Sequence, residues 1–214
     1  MLKRVLLLTL VSILSSACQA QQHPGAEAFA EKAAAEHGLD PAAVTALLED
    51  ARFKQSIVDA MTRPAEGKDW YEYRPIFLTD KRIEGGVAFW NEHRDLIENA
   101  AQRYTVDPEY IVAIIGVETF YGRITGSYRV IDALATLAFD YPRRSEFFTS
   151  ELRNFLILTR EQDLDPLEPI GSYAGAMGYG QFMPSSYRNY AVDFDGDGKT
   201  DIWNNPTDAI GSVA

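Results

Sequence analysis

The chain is poor in the residues that usually announce a metal or redox site. It has one cysteine, Cys18, and three histidines among 214 residues. An intramolecular disulfide framework is therefore excluded, and His23, His37 and His93 fall on the tether or on polar helix faces with no zinc spacing. They read as surface residues. Positive charge is also scarce: 20 Lys and Arg stand against 31 Asp and Glu, for a formal net charge of −11. Nucleic-acid phosphates need a basic stripe, so a nucleic-acid partner is excluded and a soluble acidic surface is implied. No strand-like alternation longer than four residues occurs, and no internal repeat. What is present is 46% hydrophobic and 12% aromatic residues, ample for one globular core.

Residues 1–17 are not part of that core. Lys3 and Arg4 precede an apolar stretch from Val5 to Leu14 and the small residues Ser15, Ser16 and Ala17. This is the layout of a secretory signal peptide, too short to span a bilayer as a helix. Cys18 follows directly and resembles the acylated cysteine of bacterial lipoproteins. The alternative is ordinary cleavage nearby, leaving a soluble periplasmic protein. Lipidation at Cys18 and a periplasmic location, anchored to the outer membrane, are the expectation, with residues 18–25 as a tether.

From Ala26 the pattern turns helical. AEAFAEKAAAEH stops at Gly38, and Asp40-Pro41 reads as N-cap and first turn of the next helix. An irregular aromatic segment lies between Met61 and Phe77. Thr79 caps one long expected helix, DKRIEGGVAFWNEHRDLIENAAQRY, with Ile83, Val87, Trp90, Leu96 and Ile97 inward and Gly85-Gly86 weakening it. Asp107-Pro108-Glu109 starts another, running to about Tyr121 and stopped by Gly122. Further helices are predicted at 130–138, 143–159 and 185–191. The fold class is mainly α (α+β), with any sheet small.

The helix after Asp107 carries IVAIIGVETFYG, an uncharged run closed by Glu118. No cation stands at i±3 or i±4, where Ile114, Ile115, Tyr121 and Gly122 flank it. Desolvation without a cation raises a carboxyl pKa, as a general acid requires, and the dipole at a helix C-terminus acts in the same direction. On these residues alone a structural role, paired to a distant Arg, stays open beside the catalytic one. GSYAGAMGYGQFMPSSY, residues 171–187, places small residues among aromatics, an amide and hydroxyls. Such a loop admits close approach of a ligand and offers faces for sugar stacking; it could equally be a packed loop before a helix.

GVETFYG, DALATLAFDYPRRSEFF, AGAMGYGQFMPSSY, WYEYR and DFDGDGKTDIWNNPTDAIGSVA, in this order apart from WYEYR, which lies first, resemble bacterial lytic murein transglycosylases of the membrane-bound B family. The resemblance runs from about residue 28 to the end. It implies a lysozyme-like helical core over residues 26–214 and a peptidoglycan glycan strand as substrate. Glu118 would be the sole acid and base, protonating the oxygen between N-acetylmuramic acid and N-acetylglucosamine. It would then take the proton from the muramyl C6 hydroxyl as a 1,6-anhydro ring closes. An apolar surround that keeps Glu118 protonated and dry is expected. Ser172, Gln181 and Tyr73 would orient the sugars, Arg143 and Arg144 would stand at the groove, and Tyr179 and Phe182 would wall it. The resemblance also implies a continuation beyond Ala214, so a truncated catalytic domain is expected. A non-catalytic peptidoglycan-binding lipoprotein and a hydrolytic muramidase are the alternatives.

Asp193, Asp195, Asp197 and Gly198 give D-x-D-x-D-G, the opening half of an EF-hand-type calcium loop. Position seven is the Lys199 carbonyl and position nine is Asp201. Position twelve is Asn204 rather than the bidentate Glu. The family's loop closes with a later aspartate, which maps to Asp208. A structural Ca2+ is the expected cofactor.

Overall fold

The computed structural model describes residues 23–63 and 67–214. The signal peptide, Cys18 and the first part of the tether lie outside these residues. Eleven helices are present among the described residues, with two two-residue strands, β1 (Tyr128–Arg129) and β2 (Ile170–Gly171), paired antiparallel. The mainly α expectation holds. None of these helices is long and apolar enough to cross a membrane.

The expected Gly38 stop and Asp40 cap form, whereas Asp107, at the N-cap position before Pro108, makes no side-chain capping hydrogen bond. Helix α1 (Ala26–His37) ends on Gly38 in the left-handed region, and α2 (Pro41–Asp50) begins where the Asp40 carboxylate accepts from the Ala42 N–H. A helix the sequence pattern did not reveal, α3 (Gln55–Thr62), follows. The aromatic segment contains one turn of helix, α4 (Trp70–Tyr73), and a 3-10 turn at Arg74–Ile76.

The long helix predicted from Asp80 is two helices, α5 (Asp80–Glu92) and α6 (Arg94–Tyr104), broken at His93. Its inward face also differs from expectation. Ile83 and Val87 are more than half exposed, while Gly85, Gly86 and Phe89 are buried. The reason is Tyr121. A Cβ on Gly86 would lie 2.5 Å from the Tyr121 hydroxyl oxygen, and one on Gly85 3.2 Å from its ring. The two glycines accept a helix-propensity cost of about 1 kcal/mol each to let that ring lie flat on α5.

Helix α7 (Pro108–Thr119) crosses α5 and α6 and buries Ile111, Val112, Ile115 and Gly116 against them, with Ile210 of α11 (Pro206–Val213) completing this smaller core. The larger core surrounds α8 (Val130–Asp140). All nine residues from Val130 to Ala138 are buried, so this helix is packed on every side, and its two polar members are paired: Asp132 with the Arg129 guanidinium and the Arg52 N–H, Thr136 with the Lys54 N–H. Around it lie α1, α2, α3, α9 (Ser145–Glu161) and α10 (Pro184–Tyr190). Leu134, Leu137, Phe148 and Phe155 are fully buried here, each worth about 1.5–3 kcal/mol of apolar transfer.

His23 is not a surface residue. It is 3% exposed, with Nδ1 2.8 Å from the Asp140 carboxylate at the end of α8 and its ring beside Phe139. The first described residues are thereby fastened to the larger core.

Candidate active site

The site lies where the two cores meet. Helix α7 ends two residues earlier than expected, at Thr119, because Phe120, Tyr121 and Gly122 adopt positive φ angles of 53°, 60° and 77° in succession. Two of the three are aromatic, for which this region is unfavourable, so the turn stores strain held in place by its surroundings. The holding groups are identifiable. Arg82 Nη1 donates to the Gly116 carbonyl, and its guanidinium stands 4.9 Å from the Phe120 ring centroid. The Tyr121 hydroxyl donates to the Arg82 carbonyl at 3.0 Å. Burial raises the Tyr121 phenol above its ordinary pKa, an effect partly offset by Arg82 and Arg123.

Glu118 stands on this last turn, and it is exposed. The burial expected to keep it dry is not found, although two apolar side chains stand on the same face. The uncharged run faces inward only at Ile111, Val112, Ile115, Gly116 and Thr119. Ile114, 44% exposed, and Val117, 46% exposed, share the open face with Glu118. A helix turns by 100° per residue, so an unbroken apolar run cannot be buried on one neighbour alone.

The glycine-rich loop meets α7 through backbone and buried hydroxyl contacts. Thr119 Oγ1 donates to the Tyr179 carbonyl at 2.8 Å and accepts from the Gly122 N–H at 3.0 Å. The Tyr179 ring covers Gly122 so closely that a Cβ there would fall 2.3 Å from it. Gln181, itself at φ 49°, donates its amide to the Thr125 and Gly178 carbonyls. Phe182 exchanges backbone hydrogen bonds with Met177, and Gly171, next to Ser172, bridges Met177 from the other side. Ser172 Oγ accepts from the Ala174 and Ala176 N–H groups, closing the small-residue turn. Thus Ser172, Tyr179, Gln181 and Phe182 are brought into one folded loop that abuts the end of α7.

The remaining expected groups lie outside this loop. Tyr73 reaches the site indirectly, its ring 5.1 Å from Phe77, over which Arg82 also stands at 5.4 Å. Arg143 and Arg144 sit in a 3-10 turn, residues 142–144, that packs against α8 and α9. There the Arg144 guanidinium lies 4.3 Å over the Phe147 ring.

Three further residues hold these elements together, and the sequence marks them weakly or not at all. Thr119 and Arg82 are described above. The third is Glu151, a 3%-exposed carboxylate whose two oxygens accept from the Ser185 N–H (2.9 Å) and Oγ–H (2.7 Å) at the start of α10. It fixes the exit of the loop that carries Gln181 and Phe182. Only Thr119 had a local signal, its place directly after Glu118.

The acidic loop folds on its own carboxylates. The Asp193 side chain accepts from the N–H groups of Gly196, Asp197 and Gly198, and oxygens of Asp193, Asp195 and Asp197 lie within 4.8 Å of one another. The Asn205 amide, followed by the Asp197 N–H, holds the Asp195 carboxyl below the usual carboxylate range. Asp201 accepts from the Trp203 and Asn204 N–H groups. Asp208 is fully buried and accepts from Phe194 N–H with one oxygen and Asp201 N–H with the other, both at 2.8 Å. It ties the two arms of the loop to α11.

Comparison with known proteins agrees with this architecture. A family model described as a transglycosylase SLT domain matches residues 21–214. Membrane-bound lytic murein transglycosylase B of Escherichia coli (strain K12) is 48% identical over 202 residues, covering 90% of this chain and 56% of that protein. The crystal structure of the soluble lytic transglycosylase SltB1 from Pseudomonas aeruginosa superposes with a TM-score of 0.84 at 58% identity, covering 89% of this chain and 64% of that one. That of E. coli Slt35, a lytic transglycosylase solved in complex with calcium, gives a TM-score of 0.82 at 49% identity, covering 89% and 61%. The chain therefore spans a little over half to somewhat under two thirds of these relatives. With nearly all of its own length matched at such identity, it belongs to the transglycosylase SLT domain family.

Proposed function

We propose that this chain carries the glycan-cleaving site of a peptidoglycan lytic transglycosylase, with Glu118 as its single acid and base. The observation that supports this most is the join between the end of α7 and the glycine-rich loop. Thr119 and Gly122 lock to Tyr179, and Glu118 projects from the same turn on an open face.

In this reading Glu118 gives its proton to the glycosidic oxygen between N-acetylmuramic acid and N-acetylglucosamine as the bond to C1 breaks. The muramyl C6 hydroxyl then bonds to C1 and returns its proton to Glu118. No water is consumed, and one carboxylate serves both steps, unlike the two-carboxylate schemes of ordinary glycosidases. Since Glu118 is exposed, the desolvation that favours its protonated form comes from the bound sugar, with Ile114 and Val117 as apolar flanks. Ser172, Gln181, Tyr179 and Phe182 orient the strand, as does Tyr73, with Arg143 and Arg144 further out.

Asp193, Asp195 and Asp197 form a hard oxygen set suited to Ca2+, followed by the Lys199 carbonyl and Asp201, with Asp208 closing the loop. The ion would pin the loop after the Gln181 segment and take no part in the chemistry. Export to the periplasm and lipidation of Cys18 are part of the same proposal, and incorporation of labelled lipid at Cys18 tests them.

The activity is tested by digesting purified glycan strands and weighing the products. Anhydro-muramyl ends, lost in Glu118→Gln, are expected. Reducing ends would identify a hydrolytic muramidase instead, and absence of cleavage with retained binding would leave a peptidoglycan-binding protein.

A further inference from the structure

Between Trp70 and Leu78 the surface carries rings that packing does not explain. Trp70 is 69% exposed, Tyr71 72% and Leu78 56%. With Arg74 and Pro75 they wall a notch of about 410 Å3. Single exposed apolar side chains are ordinary, but a cluster of them marks a surface that meets something.

The cluster is continuous with the candidate site. The Trp70 ring is 6.4 Å from Tyr73, and Tyr73 is 5.1 Å from Phe77. The Arg82 guanidinium bridges Phe77 to Phe120, and Arg82 also holds the Gly116 carbonyl on the last turn of α7. A run of rings and one guanidinium therefore leads from the turn bearing Glu118 to the open notch.

Resting on the function proposed above, we infer that the Trp70–Tyr71–Arg74 notch is a distal glycan subsite. It would hold N-acetylhexosamine rings of the same strand, away from the bond under attack. Pyranose rings present C–H faces that stack on indole and phenol faces. Muramyl units carry carboxylates, on the lactyl group or its peptide, and Arg74 places a guanidinium for them on a chain whose net charge is −11. The same residue types could also meet a lipid surface. Continuity with the turn bearing Glu118 favours the glycan, and the acidic balance of the chain opposes an anionic bilayer.

The test uses the full chain carrying Glu118→Gln, so that binding is read without turnover. Oligomers of two and of six N-acetylglucosamine units are titrated calorimetrically. The hexamer is expected to bind more tightly than the dimer. A Trp70→Ala/Tyr71→Ala variant in the same background is expected to lose about tenfold of the hexamer affinity, with dimer affinity unchanged. Equal hexamer affinity in the two proteins would overturn this subsite alone. Anionic phosphatidylglycerol vesicles that bind the parent chain but not the double variant, with hexamer binding equal, would assign the notch to lipid. Failure of the parent to bind either oligomer would overturn the proposed function along with the subsite.

Discussion

Thr119 and Tyr179, sixty positions apart, share a 2.8 Å hydrogen bond from the Thr119 hydroxyl to the Tyr179 carbonyl. Thr119 is 1% exposed, and the same hydroxyl accepts the Gly122 N–H. One buried oxygen thus sets the distance between the turn carrying Glu118 and the loop carrying Gln181. Thr119→Val keeps the shape but leaves a buried carbonyl and an N–H without this partner, at a cost of about 1–3 kcal/mol. Thermal unfolding should show that loss. On the proposed function, turnover on glycan strands should fall further than binding does, because the proposed acid Glu118 and the loop proposed to orient the sugars separate. Thr119→Ser should restore both.

Gly86 tests the packing of Tyr121. Ordinarily Gly→Ala inside a helix stabilises by about 1 kcal/mol. Here the new Cβ would lie 2.5 Å from the Tyr121 oxygen and 3.1 Å from the ring carbon bearing it. Overpacking of this kind costs about 1–3 kcal/mol, so a net loss of stability is expected. Adding Tyr121→Phe removes the closest atom. Denaturant midpoints of the double variant should recover part of the Gly86→Ala loss, showing that the two positions are coupled.

These two cases mark what could be read from sequence. Local signals are legible: the Asp40 cap, the Gly38 stop and the helix from Val130 each rest on neighbours within a few residues. The motifs around Glu118 and Gln181 fold against one another, although Glu118 is exposed where its apolar run suggests burial. An apolar run says how much surface wants cover, not how much finds it. The helical period points Ile83 and Val87 inward, yet Tyr121 packs on the opposite face of α5, at Gly85 and Gly86. His23 looked like tether until Asp140, 117 positions away, took its ring nitrogen. Arg82 to Gly116 and Glu151 to Ser185 are likewise contacts across 34 positions each, which no local pattern encodes.

The acidic loop should respond to calcium and to acid separately. Added calcium should raise the melting temperature of the intact chain and leave Asp195→Ala/Asp197→Ala unmoved; an unchanged melting temperature in the intact chain would remove the ion from the account. Without calcium, the Asn205 amide and Asp197 N–H depress the Asp195 carboxyl. A depressed carboxyl contributes stability that is present above its unfolded pKa of about 3.9 and is lost as pH falls through the folded value. Asn205→Ala also removes the cap that accepts from Thr207 N–H, so a constant offset is expected at every pH. The diagnostic part is the difference between parent and variant, which should shrink as pH falls below about 4 in calcium-free melts.

At the alkaline end the relevant group is Tyr187. Its hydroxyl donates to the Thr200 carbonyl at 2.6 Å, the residue is 4% exposed, and burial pushes the phenol well above its ordinary pKa. The folded state therefore favours the neutral phenol. Stability from that preference is intact below the unfolded pKa of about 10 and is lost as pH rises beyond it, since the unfolded chain ionises first. Tyr187→Phe should cost about 1 kcal/mol at pH 7 for the missing hydrogen bond. Above pH 10 the parent alone bears the penalty of keeping the phenol protonated, so the gap between the two should narrow. Urea midpoints of parent and variant at pH 7 and pH 10.5 measure it directly, and an unchanged gap would show that Tyr187 does not govern the alkaline loss.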